Sequence, residues 1–325
     1  MSETVRWGVI GTGGIATDFA AEVAMLDDAT IVAVGSRSQD TADRFAAAHG
    51  VTRAYPTYEQ LVSDAEVDVV YVATPHPGHH AAAMLAIEAG KGVLVEKAFT
   101  MDAAEASELV AAARSRGVFL MEAMWTRFLP RIARIHELVA QGAVGQVTQV
   151  FADHGQWFEQ DASHRLFDPA LGGGALLDLG VYPVSFASMV LGTPATVTAV
   201  SDKAFTGVDA TTSMLLTYAG GGHAILSCTL TAVGPTTAAI VGTEGLIEIT
   251  EPFYAAPSFT LTRRDGANES SADPMAGKGL RYEIAEVGRC RRAGLLESPG
   301  MPLDETVAIM ATMDEVRRQI GLTYP

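Results

Sequence analysis

The chain is poor in cysteine, in tryptophan and in positive charge. Only two of its 325 residues are cysteine, Cys228 and Cys290, far apart and without metal-ligand spacing. That argues against a disulfide framework or a zinc site, and no metal is expected. Lysine and arginine number 22 against 38 aspartate and glutamate, a formal net charge of −16. Such a balance disfavours nucleic acid and anionic membrane as partners, so an anionic ligand has to be held by a local site. Gly, Asp or His interrupts each apolar run before it reaches spanning length, and no transmembrane helix is expected. The N-terminus runs straight into an apolar strand with no signal-peptide pattern, so the expected setting is cytoplasmic. What remains is ordinary globular composition, 48% hydrophobic and 18% charged, in a length that suggests two domains.

The most informative stretch is Arg6-Trp7-Gly8-Val9-Ile10-Gly11-Thr12-Gly13-Gly14-Ile15-Ala16. An apolar strand ends in Gly-x-Gly-x-x-Ala and a helix-like segment follows. Gly11 makes the tight turn, Gly13 removes the Cβ that would block a phosphate, and Ala16 lets the helix pack close to the strand. The helix N-terminus then offers backbone N–H groups and a positive dipole end to a pyrophosphate, with Thr12, Gly14 and Ile15 on the same turn. The next strand, Thr30 to Gly35, leads into Ser36-Arg37-Ser38. A site for NAD usually carries Asp or Glu there, to accept from the ribose 2′-hydroxyl. Arg37 instead suits a 2′-phosphate, which a guanidinium binds by a fork of N–H bonds. NADP is therefore favoured over NAD.

Residues 1–122 alternate strand and helix, the pattern of a doubly wound parallel sheet. Ligands of such sheets bind beyond the carboxyl ends of the strands, where Gly11-Thr12-Gly13, Thr74-Pro75-His76 and Glu96-Lys97 fall. From 123 to 325 the character changes. A helix over 130–141, a strand from 145 and a helix opened by Gly172-Gly173-Gly174 precede six strand-like segments between Thr196 and Arg263. Successive strands with short turns predict a mainly antiparallel sheet. Residues 264–279 read as a loop, and helices near 281–294 and 304–320 close the chain. The fold class is α/β: a Rossmann domain over 1–122 and a C-terminal α/β domain with an open-faced sheet over 123–325.

Two further features carry chemistry. Lys97 follows the strand Gly92 to Glu96, so its ammonium is placed to donate to a substrate hydroxyl or a developing alkoxide. Asp178 and Tyr182 are four apart and share one face of a helix. A tyrosine hydroxyl near Lys97 can exchange the substrate proton, because an ammonium favours the phenolate. Asp178 can accept a substrate hydroxyl.

Together the Gly-x-Gly-x-x-Ala turn, Ala73-Thr74-Pro75, Glu96-Lys97 and Gly-Gly-Gly…Asp178…Tyr182 resemble the glucose–fructose oxidoreductase/inositol dehydrogenase family, Gfo/Idh/MocA. Phe119 to Phe128, Gly173 to Tyr182 and Glu297-Ser298-Pro299…Pro302-Leu303 are similar to its branch of dimeric dihydrodiol dehydrogenase and NADP-dependent D-xylose dehydrogenase. The resemblance spans nearly the whole chain. It implies hydride transfer between NADP and a hydroxyl-bearing carbon of a sugar, cyclic polyol or trans-dihydrodiol, with Lys97 and Tyr182 catalytic and Arg37 reading the 2′-phosphate. It also implies Trp125 and Arg127 in the substrate pocket and a homodimer or higher homo-oligomer through the open sheet face. This chain has Glu96-Lys97-Ala98 where Glu-Lys-Pro is common, which loosens the turn at Lys97. His79 is expected to cap or brace the Thr74-Pro75-His76 turn beside the cofactor. With His154 and Gly155 before Trp157, and Pro252-Phe253-Tyr254 later, the pocket lining is not plainly that of the richly aromatic mammalian type, which points away from an aryl diol as natural substrate.

An NADP-dependent dehydrogenase acting on such a small molecule is thus expected, with Lys97 and Tyr182 converging near nicotinamide C4. A non-catalytic NADP-binding sensor would need the turn and Arg37 but neither Lys97 nor Tyr182. A lyase or glycosidase using bound nucleotide as a redox relay would show no net reduction.

Overall fold

The computed structural model describes residues 4–255, 258–272 and 276–325. Two compact units emerge, Met1–Trp125 with Gly277–Val307, and Thr126–Ala276 with Ala308–Pro325.

The first unit holds six parallel strands, β1 (Val5–Ile10), β2 (Ala29–Gly35), β3 (Arg53–Tyr55), β4 (Val69–Val72), β5 (Gly92–Glu96) and β6 (Leu120–Ala123). Their order, β3-β2-β1-β4-β5-β6, is the doubly wound Rossmann order, which reverses beside β1. β4 and β5 are buried along their whole length, as strands covered on both faces must be, and so read as unbroken apolar runs. The crossovers carry α1 (Gly14–Val23), α2 (Gln39–His49), α3 (Tyr58–Val62), α4 (His79–Glu88) and α5 (Ala103–Arg116). Local chemistry sets the bounds of α5. The Asp102 carboxylate accepts from the Glu105 N–H, and Gly117 ends the helix in the left-handed region at φ 64°.

The second unit opens with α6 (Pro130–Ala140), β7 (Val147–Gly155) and α7 (Val181–Leu191). It continues through β8 (Thr196–Lys203), β9 (Asp209–Thr217), β10 (His223–Thr229), β11 (Ala238–Gly242), β12 (Gly245–Ile249), β13 (Phe259–Arg263) and β14 (Asn268–Ser271). These eight strands form one sheet, β14-β13-β12-β11-β7-β10-β9-β8, antiparallel throughout except for β7 beside β10. The stretch Pro169–Leu191, mean hydropathy 1.5, has the length and composition to cross a membrane, but 78% of its window is buried in the fold. Its α7 packs on β7 and β10 and covers one face of the sheet. The other face is open. Phe151, Ile225 and Leu215 stand side by side there through the β7–β10–β9 register, and each is exposed.

Two expectations need correction. Residues 277–307 do not group with the C-terminal unit. They carry α8 (Arg281–Arg292), whose start is held by Glu22 of α1, the carboxylate accepting from the N–H groups of Gly279 at 3.3 Å and Arg281 at 3.2 Å. Arg292 adds an ion pair to Asp28 at 2.9 Å. The last helix, α9 (Leu303–Ile320), begins in one residue range and ends in the other. The loop expected over 264–279 contains β14, a polar edge strand, with 273–275 outside the described residues. Its sequence gives no apolar alternation because it closes the sheet edge facing solvent. Glu269 ties it to Arg134 of α6, with Nε to Oε1 at 2.9 Å.

Candidate active site

The turn after β1 is built as a phosphate cradle. Gly11 sits at φ 100°, and a Cβ there would lie 2.5 Å from the Ala73 carbonyl oxygen. Only glycine fits that approach. Its N–H donates to Gly35 O at 3.1 Å, joining the turn to the end of β2. Gly13 and Gly14 are exposed, and a Cβ at either would meet no atom within 4 Å. α1 begins at Gly14 with no side chain capping its first turn. Its N-terminal N–H groups therefore face open space rimmed by glycines, and Thr12 and Ile15 flank it. Such a terminus attracts an anion by both hydrogen bonding and dipole. The residues thus fit a dinucleotide pyrophosphate.

At the end of β2, Ser36 is buried and Arg37 is exposed. The Arg37 charge is felt at Tyr58, the first residue of α3, although burial outweighs it and raises the phenol above its ordinary value. At the end of β4, Thr74 is half-buried, Pro75 exposed and His76 buried. His79, at the start of α4, is 1% exposed and braces two strand ends. Its Nε2 lies 2.8 Å from Thr74 O and its Nδ1 2.9 Å from Ala98 O. Burial pushes its pKa down, toward the neutral ring, while those carbonyls favour the charged one. A neutral ring has one N–H, so it donates to one carbonyl at a time. The His76 ring meets it edge-on at 5.6 Å.

Glu96 closes β5 with its carboxylate turned into the unit, where it accepts from the Tyr71 hydroxyl and, at 3.2 Å, from the Lys97 N–H. Tyr71 stacks on Phe19 of α1 at 3.9 Å, and burial drives its pKa far up. Lys97 is half-buried at the carboxyl edge of the sheet, and its peptide bond to Ala98 is cis. Trp125 lies half-buried past β6.

In the second unit the helix carrying Asp178 and Tyr182 starts with a π turn over Leu176–Gly180 before α7. Such turns gather at functional sites. Both side chains are nearly buried, Asp178 at 6% and Tyr182 at 8% exposed. Arg165 grips Asp178 in a fork, Nη1 to Oδ1 and Nη2 to Oδ2 both at 3.1 Å. Tyr182 stands in an aromatic corner. His154 of β7 meets it edge-on at 5.2 Å, Tyr254 lies tilted at 5.2 Å, and His154 stacks on Tyr254 at 4.5 Å. The Gln156 side chain joins the two, 2.8 Å from His154 Nε2 and 3.4 Å from the Tyr254 hydroxyl. Arg127 is buried and bonds to Ser185 of α7, Nε to Oγ at 3.0 Å and Nη2 to O at 2.7 Å. Trp157 is 61% exposed. Among the described residues no group of three or more His, Cys, Asp or Glu is placed to hold a metal.

A family profile for an oxidoreductase family with an NAD-binding Rossmann fold matches residues 5–124, and the Gfo/Idh/MocA C-terminal domain matches 132–248. The chain belongs to the Gfo/Idh/MocA oxidoreductase family. Within this family it is 38% identical to trans-1,2-dihydrobenzene-1,2-diol dehydrogenase of Bos taurus, over 99% of this chain and 98% of that protein. The enzyme of the same name from Macaca fascicularis is 40% identical with the same coverage. A 3-ketoreductase from Actinomadura kijaniata, solved with NADP and TDP-benzene, superposes with a TM-score of 0.86 at 26% identity, covering 98% of both chains. An aldose-aldose oxidoreductase from Caulobacter crescentus shares the fold at TM-score 0.88 and 23% identity, over 98% of this chain and 97% of that one. The Gfo/Idh/MocA chain is accordingly an NAD(P)-binding oxidoreductase, a dehydrogenase by family.

The structure gathers the expected residues in two groups, the cofactor set with Lys97 in the first unit and the pair Asp178–Tyr182 in the second. Arg165 and the Gln156-linked stack of His154 and Tyr254 escaped the sequence reading as partners. Arg165 precedes Asp178 through an irregular loop with no periodicity to announce it, and Tyr254 is a hundred residues from His154.

Proposed function

We propose that this protein is an NADP-dependent dehydrogenase transferring hydride between nicotinamide and a hydroxyl-bearing carbon of a trans-dihydrodiol, a sugar or a cyclic polyol. The observation that carries the reading is full-length likeness, at 38–40% identity, to trans-1,2-dihydrobenzene-1,2-diol dehydrogenases. The NADP preference rests on Arg37, which stands at the end of β2 where an acid would repel a 2′-phosphate. The neighbouring ketoreductase was solved with NADP. Structures of it also exist with one tyrosine changed to phenylalanine and one lysine changed to alanine or glutamate.

When bound, NADP supplies the hydride acceptor. The Gly11–Ile15 turn and the bare start of α1 hold its pyrophosphate, and Arg37 with Ser36 holds the adenosine end. His79 fixes the Thr74 and Lys97–Ala98 strand ends against each other. Lys97 donates to the substrate oxygen and stabilises negative charge there. Tyr182 takes the hydroxyl proton during oxidation and returns it during reduction. Asp178, gripped by Arg165, orients the substrate hydroxyls, and Trp125 lines the pocket. The open face with Phe151, Leu215 and Ile225 serves a homodimer, since an apolar sheet face left in water is a liability. The two thiols are free and buried, which supports a reducing cytoplasmic setting.

The test is NADPH formation by purified protein across trans-dihydrodiols, aldoses and inositols, with Tyr182→Phe as control. Turnover on one of these classes, lowered roughly two to four decades by the substitution, is the expected result. Tight NADPH binding with no turnover on any class would instead favour a sensor.

A further inference from the structure

We infer that Asp209, far from the glycine motif in sequence, is a positioning residue for Tyr182: its buried carboxylate fixes the turn and first helical residues that carry Asp178 and Tyr182. The inference rests on the assignment of Tyr182 as the proton-transfer group.

Asp209 is the first residue of β9 and is 0% exposed. Its Oδ2 accepts from the Leu176 N–H at 2.8 Å and from the Thr212 hydroxyl at 2.9 Å. Leu176 opens the π turn, and Ala175 before it has no side-chain oxygen to cap the helix. The cap thus comes from a strand 33 residues away in sequence. Gly174 sits at φ 116°, and a Cβ there would collide with Asp209 Oδ1. The third glycine of Gly172-Gly173-Gly174 therefore leaves room for this carboxylate as well as allowing the turn. A second clamp acts on the same turn, the Tyr324 hydroxyl donating to Gly173 O at 2.9 Å.

A neutral Ser, Thr or Asn would cap a helix adequately. A buried carboxylate is the costlier choice, and this one keeps Oδ1 without a hydrogen-bond partner among the described residues. Burial disfavours its charge, whereas the Leu176 and Thr212 bonds and the Lys203 charge favour it. What the arrangement gives in return is a two-point anchor at the N-terminal end of the helix bearing both site residues. General acid–base transfer needs hydrogen-bond reach, and a misplacement of about 1 Å can cost roughly a hundredfold in rate.

The experiment is a double-mutant cycle of Asp209→Asn with Tyr182→Phe, reading kcat, KM and NADPH affinity on folded protein. Asp209→Asn keeps the volume but puts an amide where one oxygen was. The expected result is a kcat lowered roughly ten- to a hundredfold with NADPH affinity within about twofold of wild type. In the Tyr182→Phe background the same change should cost much less, because a misplaced phenyl ring has no proton to lose. If Asp209→Asn fails to fold, Thr212→Val, which frees the carboxylate from its second donor, is expected to show the same split at smaller size. Wild-type kcat in these variants, with Tyr182→Phe impaired, overturns this inference alone. Losses that multiply in full also overturn it, since a purely structural residue would behave that way. Near-normal turnover by Tyr182→Phe removes the Tyr182 assignment and this inference with it.

Discussion

Two glycines two residues apart should fail in opposite ways when given a methyl group. At Gly11 the backbone has φ 100°, and the added Cβ would sit 2.5 Å from the Ala73 carbonyl oxygen and 2.9 Å from its carbon. Both are backbone atoms at the end of a central strand and cannot swing aside. The conformation costs roughly 1–2 kcal/mol and the overlap about 1–3 kcal/mol more. Gly11→Ala should therefore lower the melting temperature by several degrees with or without cofactor. At Gly13 the backbone has φ −78° and ψ −175°, open to any residue, and no atom lies within 4 Å of where the methyl carbon would stand. Gly13→Ala should leave apo stability within about 0.5 kcal/mol of wild type. Its methyl instead fills the space in front of the α1 N-terminus, so NADPH affinity should fall by a decade or more, about 1.4 kcal/mol at least. Thermal denaturation and fluorescence titration with NADPH separate the two effects. A Gly13→Ala protein that binds NADPH as wild type, or that melts as low as Gly11→Ala, would refute the assignment of this turn as the pyrophosphate cradle.

Arg37→Asp should reverse the cofactor preference, because losing a charge-assisted fork to phosphate costs roughly 1.5–3 kcal/mol, or one to two decades in Kd; an unchanged NADP/NAD ratio would count against Arg37. Glu283 of α8 is fully buried, both its carboxylate oxygens lack a hydrogen-bond partner among the described residues, and burial beside Glu96 and Glu122 pushes its pKa well above the usual range. A raised folded pKa contributes stability that is present below the unfolded value and is lost as pH rises toward the folded one. Glu283→Gln should consequently gain on wild type in melting temperature from about pH 4.5 upward, with parallel curves as the refuting result. On the open sheet face, Leu215→Asp with Ile225→Asp should convert the proposed dimer into a monomer in light scattering without unfolding it, since both side chains are already exposed.

Much of the first unit is legible because its signals are local. The turn Gly11–Ala16, the apolar β4 and β5, and the Asp102 and Gly117 ends of α5 each declare themselves within a few residues. The alternating β9 and β10 do so in the second unit. What escaped the sequence is held by partners far along the chain. α8 looks like any C-terminal helix until Glu22 is seen receiving its first N–H groups. β14 reads as loop because an edge strand facing water needs no apolar face.

The second-unit site shows the same limit at the level of chemistry. Spacing alone puts Asp178 and Tyr182 on one helical face, and it says nothing of what either holds. In the fold Asp178 is already forked by Arg165, whose side chain is 53% exposed. An exposed guanidinium is weakly bound by a single carboxylate, on the order of 1 kcal/mol or less. The pair therefore sets orientation more than stability, and in the proposed reaction a substrate hydroxyl would meet a carboxylate whose lone pairs are partly committed and whose direction is fixed. Tyr182, by contrast, is approached by rings: His154 edge-on and Tyr254 tilted, with Gln156 linking them. A nearby ammonium favours a phenolate, and that is the part the proposed reaction assigns to Lys97.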